Sequence, residues 1–225
     1  MIRWIQLDSV QTPGDGEPLR LLQRDTEFTI KVGNHELMNS RIYASEEALA
    51  ELACARIADR PQSQVLIGGL GMGYTLAAAL RTLPADSAII VAELVPAVVL
   101  WNRGPIAHLA GDPLKDERVQ IHEVDVAQLI RKKTQTYDAI LLDVDNGPEG
   151  LTRKENDWLY GLNGLNAAYT ALRQGGVLAV WSAGYDPAFT QRLVKIGFHV
   201  EEKRVRARGT RGGARHIIWL ATRTA

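Results

Sequence analysis

The chain has 225 residues, and 46% of them are hydrophobic, which is enough for a packed core and excludes a disordered protein. Its 26 basic and 26 acidic side chains cancel, so the net charge indicates no general attraction to nucleic acids or membranes. The single cysteine, Cys54, excludes an internal disulfide, and the lack of a signal-peptide pattern and of an apolar stretch of about 18 residues predicts a soluble, cytoplasmic protein.

The first 43 residues predict a small β region. Short strand-like segments at 4–7, 18–24 and 28–32 are separated by the turn-forming sequences PGDGE and GNHE. They indicate a small antiparallel sheet or hairpin, which we assign to a separate N-terminal region, residues 1–43. A helix is predicted over 44–58, where apolar residues recur at helical spacing and Ser45 is the expected N-cap.

Apolar strand-like runs and helical patterns alternate from Gln64 onwards, and two strand-like segments follow the last helix. Apolar strands joined by helices are typical of a parallel sheet that is covered on both faces. We therefore predict that residues 44–225 form one Rossmann-like α/β domain. Its doubly wound, mainly parallel sheet has seven strands and a C-terminal antiparallel hairpin. In such sheets, ligands bind at the carboxyl ends of the strands.

The segment VLIGGLGMGYTLAAAL, residues 65–80, predicts a buried strand, a glycine-rich turn and a helix. Its glycines indicate either a tight turn or a backbone that a ligand approaches closely. The spacing G-x-G-x-G is tighter than the pyrophosphate-binding G-x-G-x-x-G, and no P-loop lysine follows it. A nucleoside without phosphates fits better. We therefore assign Gly69, Gly71, Met72 and Gly73 to the binding of S-adenosylmethionine or a close relative.

Acidic residues end the three strands that follow the glycine turn. Glu93 comes 20 residues after Gly73, about the separation at which dinucleotide folds place the carboxylate that binds ribose hydroxyls. Asp125 and Asp143 end the next two strands, which predicts a nucleoside site with ribose on Glu93 and adenine near Asp125. Two structural explanations stay open: Asp125 as a helix N-cap, and Asp145-Asn146-Gly147 as a turn.

Residues 45–182 resemble the spermidine synthase (polyamine aminopropyltransferase) family, a branch of the class I S-adenosylmethionine-dependent methyltransferase fold. The resemblance rests on VLIGGLGMG, on VAEL with Glu93, on HEVDVAQLI with Asp125, and on YDAILLDVDNGPEG. The last segment is similar to the family's Tyr-Asp-x-Ile-x-x-Asp loop, whose final Asp matches Asp143. The resemblance implies that Asp143 helps to deprotonate the attacking amine of putrescine, which displaces the sulfonium of decarboxylated S-adenosylmethionine. It also implies an N-terminal β-rich domain and a homodimer.

The sequence departs from the family pattern in the polyamine half of the site. Where the family's G-G-G-D-G turn has an Asp that contacts the aminopropyl tail, this chain has Met72. The family's Tyr-(His/Gln)-Glu reads Ser45-Glu46-Glu47, and the second Asp of the family's Asp-Ser-x-Asp-Pro loop falls on Asn146. We predict Asp143 as the catalytic residue of an amine acceptor site, with three candidate substrate contacts: Asp145, Asn146 and Trp158.

Two alternatives to aminopropyl transfer stay open. Met72 would not repel the carboxylate of intact S-adenosylmethionine, as a buried acidic residue would, which favours a methyltransferase. The second alternative is a non-catalytic nucleoside-binding or assembly module, in which Asp143 would have no proton to move.

The segment KRVRARGTRGGAR, residues 203–215, carries six basic residues and three glycines between the last two strands. We interpret it as a solvated hairpin loop whose charge is balanced by Glu201 and Glu202. The alternative is a loop that contacts an anionic substrate such as RNA, so we expect no nucleic-acid partner unless this loop binds one. The five histidines show no spacing typical of a metal site, and we predict no metal cofactor.

Overall fold

The computed structural model describes residues 2–12, 17–144 and 157–224. Its first four strands form a separate antiparallel sheet in the order β1-β2-β3-β4, with the bounds Ile5–Val10 (β1), Leu19–Arg24 (β2), Glu27–Val32 (β3) and His35–Asn39 (β4). The turns after β2 and β3 are tight because Asp25 and Gly33 adopt positive φ angles of 55° and 54°. The predicted antiparallel β region is confirmed, and β4, which begins at His35 within GNHE, is an additional strand.

The remaining strands form a seven-stranded sheet. Their bounds are Gln64–Gly68 (β5), Ala88–Ala92 (β6), Val119–His122 (β7), Tyr137–Leu142 (β8), Leu172–Ser182 (β9), Phe198–Arg206 (β10) and Arg215–Arg223 (β11). The helices of the described residues are Ala44–Cys54 (α1), Tyr74–Thr82 (α2), Pro96–Arg103 (α3), Val126–Arg131 (α4), Asp157–Tyr160 (α5), Leu162–Ala171 (α6) and Pro187–Ile196 (α7). Short 3-10 turns lie at Ala107–Ala110, Pro113–Lys115 and Gly209–Arg211.

The strand order of the large sheet is β10-β11-β9-β8-β5-β6-β7. Strands β5 to β9 run parallel, whereas β11 is antiparallel to both β9 and β10. The predicted mainly parallel sheet with a C-terminal antiparallel hairpin is therefore confirmed. The chain proceeds from β5 to β7 in one direction and returns to β8 on the other side of β5, so the carboxyl ends of β5, β6 and β8 are neighbours at the switch point.

Apolar cores lie on both faces of the large sheet. One core contains Tyr137, Phe189 and Trp219 together with buried residues of α4, α6 and α7. The other extends from Leu49 and Ile67 to Leu21, Phe28 and Ile30 of the N-terminal sheet. The two sheets thus share one core, and the division of the chain into domains at residue 43 stays a prediction.

The first helix differs from the prediction at both ends. It begins at Ala44 after Tyr43, which is the N-cap without a side-chain hydrogen bond, and it ends at Cys54 instead of residue 58. The prediction that Ser45 caps this helix is wrong, because the Ser45 hydroxyl lies inside the first turn, 2.9 Å from Nδ1 of His216 on β11. Within the described ranges, we find no helix that is both long and apolar enough to span a membrane.

Candidate functional site

The turn between β5 and α2 needs glycine because of its backbone angles and of the protein atoms packed against it. Gly69 has a φ angle of +89°, and a Cβ atom there would lie 2.4 Å from the backbone oxygen of Asp143. Gly71 and Gly73 have φ angles of +54° and +84°, and a Cβ at Gly71 would lie 3.2 Å from the sulfur of Met38 on β4. Residues other than glycine rarely adopt such φ angles, so a tight turn is sufficient to explain the glycines. Their contact with a nucleoside stays a prediction.

Glu93 holds the glycine turn through its carboxylate. The side chain follows β6 and is 8% exposed. Its Oε2 accepts a hydrogen bond from the Leu70 amide at 2.9 Å, and its Oε1 accepts one from the Val95 amide at 2.8 Å. The structure therefore positions Glu93 beside the turn, with an orientation fixed by two amides.

Met72 and Asp125 both have structural roles. Met72 is 1% exposed and packs in the core that the two sheets share. Asp125 is the N-cap of α4, since its Oδ1 accepts a hydrogen bond from the Ala127 amide at 2.8 Å. The capping explanation for Asp125 is thereby confirmed. Contacts of Met72 and Asp125 with a co-substrate stay predictions.

Asp143 follows β8 and lies against the start of α2. Its amide donates to the Gly68 carbonyl at 3.0 Å, and its Oδ2 accepts a hydrogen bond from the Thr75 hydroxyl at 2.6 Å. Burial raises the pKa of the Asp143 carboxyl, and the Thr75 hydrogen bond opposes that increase. A carboxylate whose pKa is raised is a better proton acceptor near neutral pH, because its basicity approaches that of the medium.

Glu46 is a second acidic residue close to Asp143, and the sequence analysis did not include it among the predicted site residues. It lies in the first turn of α1 and is half-buried. Burial, and next the charge of Asp143, raise the pKa of Glu46 well above its usual value. Among the described residues, its carboxylate has no hydrogen-bond or ion-pair partner, whereas the adjacent Glu47 pairs with Arg81 at 2.7 Å. The signal in the sequence was the departure from Tyr-(His/Gln)-Glu, which puts a second acid before Glu47.

Two stacked tyrosines lie next to the acidic pair. The rings of Tyr43 and Tyr74 are 4.3 Å apart between centroids and are nearly parallel, at 14°. Tyr74 donates its hydroxyl hydrogen to the Ser40 carbonyl at 3.2 Å. Burial, followed by the charge of Glu46, raises the pKa of Tyr74, so this phenol remains protonated and acts as a donor.

The candidate substrate contacts are described only in part. Asp145 and Asn146 lie outside the described residues. Trp158 on α5 is half-buried, and the guanidinium carbon of Arg131 lies 3.7 Å from its ring centroid. Its contact with a substrate stays a prediction. In the ranges that the structure covers, no group of three or more His, Cys, Asp and Glu side chains could hold a metal ion.

Residues 43–196 match the family model of the spermine/spermidine synthase domain. Spermidine synthase from Thermotoga maritima is similar in structure with a TM-score of 0.77 and 20% identity, covering 97% of this chain and 72% of that one. A spermidine synthase in complex with the transition state analogue AdoDATO gives a TM-score of 0.76 and 19% identity, with coverages of 97% and 72%. A probable spermidine synthase from Corynebacterium glutamicum gives 0.66 and 14%, with coverages of 98% and 80%.

No curated protein sequence matches the chain. The similar solved structures are too distant in sequence to establish more than the fold, but the domain match covers more than half of the chain. The chain therefore belongs to the spermine/spermidine synthase family, which is a family of transferases.

Proposed function

We propose that this protein transfers the aminopropyl group of decarboxylated S-adenosylmethionine to an amine acceptor. The observation that carries the proposal is the pair of neighbouring carboxylates, Glu46 and Asp143. The Thr75 hydroxyl lies 2.6 Å from Asp143 Oδ2 and 3.3 Å from the Glu46 carbonyl oxygen, so α1, α2 and the end of β8 converge there. Two half-buried acids without a cation among the described residues favour a ligand that brings the positive charge, such as an ammonium group.

The chemistry follows from this charge arrangement. An amine acceptor arrives as an ammonium ion, which the two carboxylates bind, and it must lose a proton before it can react. Asp143 takes the proton, because burial makes it a stronger base than an exposed aspartate. The nitrogen lone pair then forms the bond to the propyl carbon while the carbon–sulfur bond breaks, and that electron pair stays on the departing thioether. Alignment of the two reactants supplies much of the rate.

Glu93 and the glycine turn support the nucleoside half of the proposal. Two backbone amides orient the Glu93 carboxylate beside the glycine turn, at the end of the second strand of the parallel series, where dinucleotide folds place the acid that binds ribose hydroxyls. The relative in complex with AdoDATO supports an adenosyl-type co-substrate. The acidic pair further favours the decarboxylated form, because a third carboxylate on the co-substrate would be repelled by Glu46 and Asp143.

Titration calorimetry of the purified protein tests the co-substrate. Decarboxylated S-adenosylmethionine, intact S-adenosylmethionine and methylthioadenosine are compared at the same pH, and we expect the decarboxylated form to bind most tightly. Preference for the intact form would instead indicate a methyltransferase. Absence of binding by all three would overturn the nucleoside assignment, because the three share the adenosyl group.

A transfer assay with putrescine as the first acceptor tests the chemistry. Asp143→Asn should lower kcat by about 10²–10⁴-fold, the usual contribution of a general base, while nucleoside binding changes little. Glu51→Gln is the matched control, because it removes an exposed acid about one turn further along α1. Tight nucleoside binding without transfer to any amine tested would favour the non-catalytic binding module.

We also infer a homodimer from family membership. Ile5 and Leu7 on the edge strand β1 are 64% and 40% exposed, and exposed apolar side chains on an edge strand favour association. Light scattering after size exclusion should give twice the 24.8 kDa mass of one chain, and a monomeric mass would contradict the inference.

A further inference from the structure

The C-terminal hairpin carries a dense set of exposed cations. Five arginines of β10, β11 and the connecting turn are exposed, and we call them the basic ribbon: Arg204, Arg206, Arg208, Arg211 and Arg215. Among the described residues, none of their side chains forms a hydrogen bond or an ion pair. The whole chain has no net charge, so this concentration is a local feature and does not reflect a basic protein.

Strand register places like charges together within the ribbon. Arg206 pairs directly with Arg215 across the two strands. Directly opposite side chains have Cβ atoms about 4.5–5.5 Å apart, and like charges in such a pair are destabilising. Arg204 lies on the same face as Arg206, because side chains alternate along a strand. Three cations therefore share one face of the hairpin, a locally unfavourable arrangement that a bound anion would relieve.

The nearby acids are engaged elsewhere. Glu201 forms ion pairs with Arg56 at 2.7 Å and with Lys203 at 3.1 Å. Glu202 accepts a hydrogen bond from the Thr190 hydroxyl on α7. The sequence-based interpretation that Glu201 and Glu202 balance the charge of this loop is therefore not supported for the five arginines. Among the described residues, none of the five arginines forms an ion pair with an acid, so their guanidinium groups are accessible to an external anion.

The composition of the ribbon distinguishes between polyanionic partners. Its cations are arginines, whose planar guanidinium binds phosphate in a bidentate manner and stacks on flat rings. A membrane-binding surface would also present large apolar side chains, but the exposed large hydrophobic residues of the described chain all lie outside 203–215. These features favour nucleic acid over a lipid surface.

The ribbon lies at the same edge of the sheet as the candidate active site. Ile217, two residues after Arg215, pairs with Ser182 at the carboxyl end of β9. A Cβ atom at Gly209, in the turn of the hairpin, would lie 3.4 Å from Cβ of Ala44, two residues before Glu46. The hydrogen bond between Ser45 and His216 joins the same two segments.

We propose that the basic ribbon binds the phosphate backbone of a nucleic acid, single-stranded RNA being the probe of choice. The binding surface comprises the face shared by Arg204, Arg206 and Arg215 and the turn with Arg208 and Arg211. Binding depends on charge and is independent of the transferase chemistry, so it stands or falls separately from the proposed function.

Fluorescence anisotropy with the full chain tests the proposal. The probe is a fluorescein-labelled RNA of about 20 nucleotides, longer than the roughly 4–16 nucleotides that one OB fold, a common single-strand-binding domain, covers. Affinity is measured from about 50 to about 200 mM NaCl, and five phosphate contacts predict a slope of about −3.5 for log K against log salt. The triple variant Arg206→Gln, Arg211→Gln, Arg215→Gln should bind at least about tenfold more weakly and reduce the slope by about 2.

A matched control separates the ribbon from general charge. Lys132→Gln, Lys133→Gln and Lys195→Gln remove the same three charges from exposed positions outside the hairpin, and this variant should bind like the wild type. Equal losses in both variants, or no RNA binding at low salt, would overturn the proposal. Ribbon-dependent binding of phosphatidylserine vesicles, without RNA binding, would overturn the proposal and indicate a membrane as the partner.

The thermal stability of the ribbon variant is a further control. Its Tm should not fall, because the substitutions relieve the Arg206–Arg215 repulsion, and a lower Tm would show that these arginines stabilise the fold.

Discussion

At the scale of single residues, the candidate site contains two acids whose pKa values are both raised by burial, and the charge of Asp143 raises the pKa of Glu46 further. Glu46 comes from the first turn of α1 and Asp143 from the end of β8, and they are 97 positions apart in the sequence. Each has a pKa above its usual value, mainly because of burial. The proximity of two such groups is unfavourable for the free protein, which is typical of a site whose ligand supplies the missing charge.

Thr75→Val tests the role of the hydroxyl that holds Asp143. The hydrogen bond from Thr75 lowers the pKa of Asp143, so its removal should raise that pKa further. The base must be deprotonated to act, and the acidic limb of the profile of kcat/KM against pH should therefore move to higher pH. Thr75→Ser keeps the hydroxyl and should keep the wild-type profile. An unchanged limb in Thr75→Val would argue against Asp143 as the base.

Glu46→Gln should stabilise the free protein at neutral pH while it weakens activity. The folded pKa of Glu46 is raised, so the folded state binds more protons than the unfolded state between about pH 4 and the raised pKa. The free energy of unfolding therefore decreases as pH rises through that window. The variant lacks this decrease, and each kcal/mol that it gains corresponds to a Tm increase of about 2–4 °C for a chain of this size. Thermal unfolding at pH 5 and pH 8 measures it: a Tm difference from wild type that does not grow with pH would contradict the expectation.

At the scale of elements, the glycine turn after β5 contacts two candidate site residues, Asp143 and Glu93, which the glycine motif alone does not indicate. Gly69 allows the chain to pass under the Asp143 backbone, and the Glu93 carboxylate binds the Leu70 amide of the same turn. The turn, the end of β6 and the end of β8 thus form one unit. A change in the turn is expected to move the Asp143 carboxylate, our proposed base, together with the proposed nucleoside contacts.

Gly69→Ala should destabilise the protein strongly and abolish activity. A left-handed φ angle costs roughly 1–3 kcal/mol for a residue that is not glycine, and the new Cβ would also lie 2.4 Å from a backbone oxygen. Gly111→Ala is the matched control, because Gly111 has a φ angle of +77° but a Cβ atom added there would meet no heavy atom within 4 Å. Urea unfolding of both variants gives the two free energies. If both variants lost the same free energy of unfolding, the close approach of the Gly69 Cβ position to the Asp143 backbone would not contribute to stability.

At the scale of the whole molecule, the N-terminal sheet is integrated with the large sheet. Phe28 packs its ring edge-on against His108 at 5.7 Å, and the Trp101 indole donates to Asp8 at 2.7 Å. Met38 lies against Gly71 of the turn. The N-terminal sheet therefore contributes to the site as well as to the core.

Removal of residues 1–43 should leave a chain that does not fold stably, because Leu49, Met72 and other core residues would lose their apolar neighbours. The full chain should unfold in one transition, detected identically by far-ultraviolet circular dichroism and by tryptophan fluorescence. Two separate transitions, or a soluble and folded 44–225 fragment, would indicate an independent N-terminal domain.

Alternating apolar patterns were sufficient to predict the α/β class, the parallel sheet and the terminal hairpin, because local periodicity reports which faces are buried. The glycine turn, Glu93, Asp125 and Asp143 each follow a predicted strand. Because the carboxyl ends of parallel strands meet at one edge of a sheet, this order predicted that the site lies at that edge. Fine detail was less accessible: Ser45 looks like a helix cap in the sequence, but its hydroxyl contacts His216, 171 positions away. A contact at that separation leaves no local pattern.

The amino-acid sequence by itself determined the fold class through hydrophobic periodicity and indicated the family through the resemblance of its motifs. It also predicted the edge of the sheet at which we expect the site, because acidic residues follow successive strands. Only the tertiary structure decided which side chains share a space. It brought Glu46 to Asp143, turned Met72 into the core, gave Asp125 to the α4 cap and placed Arg206 opposite Arg215. The physical reason is that burial, charge coupling and strand register depend on distances in space, which the linear order of residues does not specify.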